Sequence, residues 1–189
     1  MTNVGIALLL SCAIAAQSGT TQPKPGAKVN PEALVLADFK QRIDKYMEMH
    51  KRLEKEVPPL KKTEDPATIK ASEEALAAAI RRDRAGAKQG DIFTPQIADR
   101  LRRLMYPETT GEKGAETKKT IKEDAPAAVT LKVNASYPDK APLPTVPPNL
   151  LANLPQLPED LEYRIINRDL ILRDVHANLI VDYIPRAIR

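Results

Sequence analysis

LEYRIINRDLILRDVHANLIVDYI, residues 161–184, decides how this chain folds. Aliphatic and β-branched residues dominate it, and two polar breaks divide it into three short runs. The runs are 161–166, 169–175 and 178–184, joined by two-residue turns at Asn167-Arg168 and His176-Ala177. Paired as an antiparallel meander, they set Tyr163 opposite Leu172 and Leu172 opposite Val181. Ile165, Leu170 and Tyr183 line up on the same face. The other face sets Glu162 opposite Arg173 and makes a row of Arg164, Ile171 and Asp182. Strand side chains alternate sides, so a slip of one residue would mix the two sets. The first face is expected to lie on the core.

Upstream, the pattern turns helical. Asn30-Pro31, Asp65-Pro66 and Thr94-Pro95 each put a capping side chain before a proline at the first helical position. The cap accepts from an orphan N–H, and the proline lacks an N–H where none is needed. Helices are therefore predicted over 31–57, 66–85 and 95–106. Pro58-Pro59 stops the first, and Gly86 and Gly90 follow the second. In the first helix Leu36, Phe39, Ile43, Tyr46, His50, Leu53 and Val57 alternate spacings of three and four, a coiled-coil seam. That seam calls for a partner, either the alanine-rich second helix or a second copy of the chain.

Residues 107–127 hold one strong apolar residue, Ile121, and read as a polar linker with a short helix over 115–123. A strand is expected over 129–133, with Val129, Leu131 and Val133 on one face. Seven prolines stand from Pro138 to Pro158 and favour extended chain, with one short helix opening at Pro147-Pro148. The fold class is α+β. A helical region over 31–106 is a hairpin plus a third helix, and a proline-rich β region over 128–189 ends in the small meander.

The chain has 189 residues, with 29 Lys and Arg against 25 Asp and Glu, net +4. It carries no Trp, five Tyr and two Phe. One cysteine and two histidines exclude a disulfide scaffold, a zinc-finger set and a haem attachment motif. No cofactor is expected, and so mild a charge does not point to nucleic acid. Val4 to Ala16 form an apolar run, too short for comfort across a bilayer core of ~30 Å. It suits a secretory signal over 1–15 cut after Ala15, followed by a polar leader over 16–30. Cys12 gives an alternative, because Leu9-Leu10-Ser11-Cys12 has the form of a lipidation motif. Only in that case would the protein sit on a membrane; otherwise it is periplasmic or secreted.

LPQLPEDLEYRIINRDLILRDVHANLIVDYI, residues 154–184, resembles the C-terminal signature of a family of small exported bacterial proteins. GAKQGDIFTP, residues 86–95, is similar to a further part of that pattern. The resemblance implies bacterial origin and export, and it carries over no catalytic or binding residue.

Candidate sites are few. His50 on the seam is expected as a hydrogen-bonded core residue; as a metal ligand it lacks a second local histidine. No metal site is expected. Asp174 and His176 near the second turn have the chemistry of an acid/base pair, the basis of a hydrolase alternative. Arg81, Arg82 and Arg84, with Arg100, Arg102 and Arg103, form two basic clusters able to take an anionic lipid or envelope polymer. Phosphate loops and hydrolase elbows are absent. The leading expectation is a non-enzymatic, exported envelope protein that binds another protein, with a homodimer through the 31–57 helix as one form.

Overall fold

The computed structural model describes residues 30–60, 62–125 and 129–188. The signal segment, Cys12 and the leader up to residue 29 lie outside the described residues. Three helices begin where the capping pairs stand: α1 (Pro31–Glu54), α2 (Pro66–Asp83) and α3 (Pro95–Met105). Asn30 accepts from the Glu32 N–H, Asp65 from Ala67 and Thr68, and Thr94 from Ile97. After α3 the chain tightens into a 3₁₀ turn, Tyr106–Thr109, and continues as α4 (Gly111–Glu123). A one-turn helix α5 (Pro148–Leu151) precedes the strands β1 (Leu161–Ile166), β2 (Asp169–Asp174) and β3 (Leu179–Ile184). The architecture is α+β, with a three-stranded antiparallel sheet in the order β1-β2-β3. Among the described residues, no helix is long and apolar enough to cross a membrane.

One core joins both halves. Phe39, Ile43 and Tyr46 of α1 and Ile97, Leu101 and Met105 of α3 pack with Tyr163, Leu170, Leu172 and Val181 of the sheet. Ile121 of α4 and Leu150 of α5 belong to the same cluster. The α1 seam is therefore covered within this chain, and Phe39 to Leu53 along it are buried. The segment expected as a solvated linker also contributes: α4 buries Gly114, Thr117 and Ile121. Gly114 is required there, because a Cβ would stand 2.3 Å from the Thr109 carbonyl carbon. A second cluster joins Leu53 to Leu76, Ala79 and Ile80 of α2 and to Ala177 and Leu179.

The β1–β2 register is the one expected, from Glu162 opposite Arg173 to Ile165 opposite Leu170. The β2–β3 register departs from expectation. Arg173 pairs with Ile180, but Leu172 pairs with Asp182 and Leu170 with Ile184. Val181 is the extra residue of a bulge, which turns the remainder of β3 over. Tyr183 consequently leaves the core face and joins Ile166, Ile171 and Ile180 on the outer one. Asp182 crosses the other way and becomes fully buried.

Residues 129–133 are not a strand. Val129 and Leu131 pack on the outer sheet face without pairing. The chain meets the sheet just afterwards, where Asn134 donates to the Ile180 carbonyl, Ile180 to Ala135, and Tyr137 to Asn178. Asn134 has a φ of 63°, a left-handed turn that asparagine tolerates and valine resists. The pairing therefore starts only beyond Val133. The second hairpin turn is also wider than expected, because β2 ends at Asp174 and β3 starts at Leu179.

Candidate functional site: two histidines and three carboxylates at the α1 end

The last two turns of α1 carry Tyr46, His50 and Glu54 at intervals of four, which places them on one face. Three side chains meet that face from the sheet: Asp160 before β1, Asp174 at the end of β2, and His176 in the turn after it. Asp174 is completely buried. One of its oxygens accepts from the Tyr46 hydroxyl at 2.7 Å and lies 2.7 Å from His50 Nδ1. The other accepts from the Ala177 N–H at 2.8 Å, which closes the turn that presents His176. Asp174 thus fixes α1, the β2–β3 turn and the His50 ring at once.

His50 has one nitrogen committed and one free. Its side chain is 0% exposed, and Nε2 has no hydrogen-bond partner among the described residues. An unpaired buried polar atom costs roughly 1–3 kcal/mol. Ligand atoms of His50, Asp160 and His176 all lie within 4.8 Å of one another. His176 Nδ1 is 3.5 Å from an Asp160 oxygen and 3.6 Å from a Glu54 oxygen. The two imidazole rings are 5.9 Å apart, tilted and unstacked. Burial pulls the His50 pKa down, but the hydrogen bond and charge of Asp174 outweigh it, so the net shift is upward. Burial and the Asp174 charge both push the Tyr46 phenol well above its ordinary range, so it stays a donor.

His50 is the buried, hydrogen-bonded residue its seam position predicts, and its missing company comes from the fold. Asp174 and His176 are brought near each other but not paired: Asp174 serves His50, and His176 faces Asp160 and Glu54. Asn178, two residues after His176, accepts two bonds from Arg173 and donates to the Tyr137 carbonyl. Neither Asp160 nor Glu54 stands out in the sequence as a candidate. The i, i+4 spacing of Tyr46, His50 and Glu54 was the one local signal of a shared polar face.

The six arginines work in separate places. Arg81 donates to the Asn134 carbonyl at 3.0 Å and to Ser136 Oγ at 2.5 Å. Arg84 donates to the Asn134 side chain and to the Val181 carbonyl, and lies over the Tyr46 ring. These two hold the segment that meets the edge of β3. Arg100 pairs with Glu32 at 2.8 Å, with Arg103 at 3.9 Å from the same carboxylate, and so ties α3 to the start of α1. Arg102 bonds Asp99 and the Pro185 carbonyl. Arg82 is exposed.

A groove begins at the open side of this cluster. Glu54 and His176 border it, and Val57, Pro58, Leu60, Ile69, Leu76 and Val175 form its apolar walls, around a volume of about 650 Å³. No protein-family model, no curated protein and no solved structure matches the chain.

Proposed function

We propose that this protein binds a divalent transition metal of the zinc class through His50 Nε2, His176 and the Asp160 carboxylate. The observation that carries it is the buried His50 ring, with Nε2 unpartnered and a ligand atom within 4.8 Å of those of a second imidazole and a carboxylate. Metal-ligating histidines characteristically give their other N–H to a carboxylate, which fixes the tautomer and raises the basicity of the ligating nitrogen. Asp174 does this for His50, and Tyr46 and the Ala177 N–H hold Asp174 in turn. Two imidazoles with one carboxylate suit zinc and its neighbours in the first transition row, whereas magnesium and calcium take oxygen ligands. The exposed His176 gives the metal a way in and the buried His50 anchors it.

The test is a calorimetric zinc titration of chelator-stripped protein, with magnesium as the control. One zinc per chain is expected, with binding lost in His176→Ala and in His50→Gln. Equal zinc affinity in wild type and His176→Ala would remove the proposal. For the cellular setting we propose the envelope, on the apolar run from Val4 to Ala16. The intact mass of protein from its native cells checks this: cleavage near Ala15 supports it, and retention of Met1 opposes it.

A further inference from the structure

We infer that the metal site and the groove beside it form a hydrolytic centre for acyl compounds with an apolar chain, an inference that rests on the metal reading above. Three features of the cluster support it together. Structural zinc sites are closed by four protein ligands, whereas catalytic ones use three and leave a position for water. Here the group within mutual reach has three members, His50, Asp160 and His176. Glu54 stands outside that group, 3.6 Å from His176, and borders the groove with it. A carboxylate in that place is a general base for a water in the open position.

The groove supplies the substrate class. Leu60, Ile69 and Val175 are large apolar side chains left 51%, 41% and 36% exposed, and all three line this one groove. Its volume of about 650 Å³ falls in the ordinary range for small-molecule sites. An acyl chain lying along these walls would present its carbonyl at the Glu54–His176 end. The bonds then balance without any redox partner. Glu54 takes a proton from the water as its oxygen bonds to the carbonyl carbon and the C=O electron pair moves onto oxygen. When that pair returns, the bond from carbon to nitrogen breaks, and the departing amine takes the proton from Glu54. The products are a carboxylic acid and an amine.

The experiment compares acetyl and hexanoyl 4-nitroanilide with the full chain, with and without one equivalent of zinc. Zinc-dependent release of nitroaniline is expected, with kcat/KM at least about 10-fold higher for hexanoyl, since buried methylenes discriminate on that scale. Glu54→Gln should lower kcat by about 100-fold while the calorimetric zinc affinity stays as in wild type. Leu60→Ser with Ile69→Ser, both at exposed positions, should erase the preference for hexanoyl and leave zinc binding intact. Stoichiometric zinc binding without zinc-dependent hydrolysis overturns this inference alone. Absence of zinc binding overturns the metal reading and this inference with it. Full turnover in Glu54→Gln overturns the role of Glu54.

Discussion

Two buried aspartates near the β2–β3 hairpin face opposite fates. Asp182 accepts from the backbone N–H groups of Gly90, Ile92 and Phe93 at 2.8–2.9 Å, and from its own neighbour Tyr183. Its contacts close on themselves and fasten the loop before α3 to the sheet. Asp174 accepts three bonds, and one of them leads onward to an imidazole whose far nitrogen is unpaired. Native interiors satisfy most polar groups, so a closed network speaks of architecture, and an open one beside a second imidazole and a carboxylate speaks of a missing partner. The comparison separates two carboxylates that look alike by burial and assigns only one of them to a site.

The sharpest way to break the comparison is to remove each acid. Asp182→Ala strands two buried N–H groups, Ile92 and Phe93, at roughly 1–3 kcal/mol each. A stability loss of about 4 kcal/mol in urea unfolding is expected, with or without zinc. If the loss is below about 1 kcal/mol, the loop is not held by Asp182. The second effect belongs to the other aspartate's network. Zinc at 100 times its Kd should stabilise the wild type by about 2.7 kcal/mol. The same addition should leave His176→Ala unchanged. Asp174→Asn, which keeps the side chain's shape but removes its charge, should weaken zinc binding about 10- to 100-fold. Unchanged affinity in Asp174→Asn would mean that His50 is not held for a metal by this carboxylate.

The same contrast explains what could be read from the chain in advance. The capping pairs, the three strands and the first hairpin register depend on residues within a few positions of one another, and all were legible. The bulge at Val181 was not, because nothing in LIVDYI distinguishes it from regular alternation. It coincides with the placement of Asp182 under N–H groups about 90 residues away, a long-range demand. In the segment 107–127 the short helix was legible, as α4 over Gly111–Glu123, but its packing on the core was not, for a related reason. Its polar residues show no stripe, and α4 is held by the contact of Gly114 with Thr109 and the burial of Ile121. The metal cluster was the least legible feature, since His50 and Asp174 stand 124 positions apart. Its ligands come from a helix and two separate turns, and no spacing rule connects them.

The smallest expected effect tests a third carboxylate, which is paired with two guanidinium groups on the outer face of the sheet. Glu162 bonds Arg164 on its own strand and Arg173 across the β1–β2 pair at 2.6 Å. Burial tends to raise its pKa, but the hydrogen bonds and charges of the two guanidinium groups prevail and hold it below the ordinary carboxylate range. A folded-state pKa below the unfolded one means that the unfolded chain binds the proton more readily. The contribution of Glu162 is therefore complete above the ordinary carboxylate range and is lost as pH falls through the folded value. Glu162→Gln should cost about 1–2 kcal/mol near pH 7, the scale of a hydrogen bond to a charged group. The gap between wild type and variant should then narrow steadily as unfolding is measured at pH values down to about 3. A gap that stays constant would show that the charge of Glu162 adds nothing to its hydrogen bonds. Zinc should leave this gap untouched at every pH, because Glu162 shares no hydrogen bond with Asp174, His50 or His176.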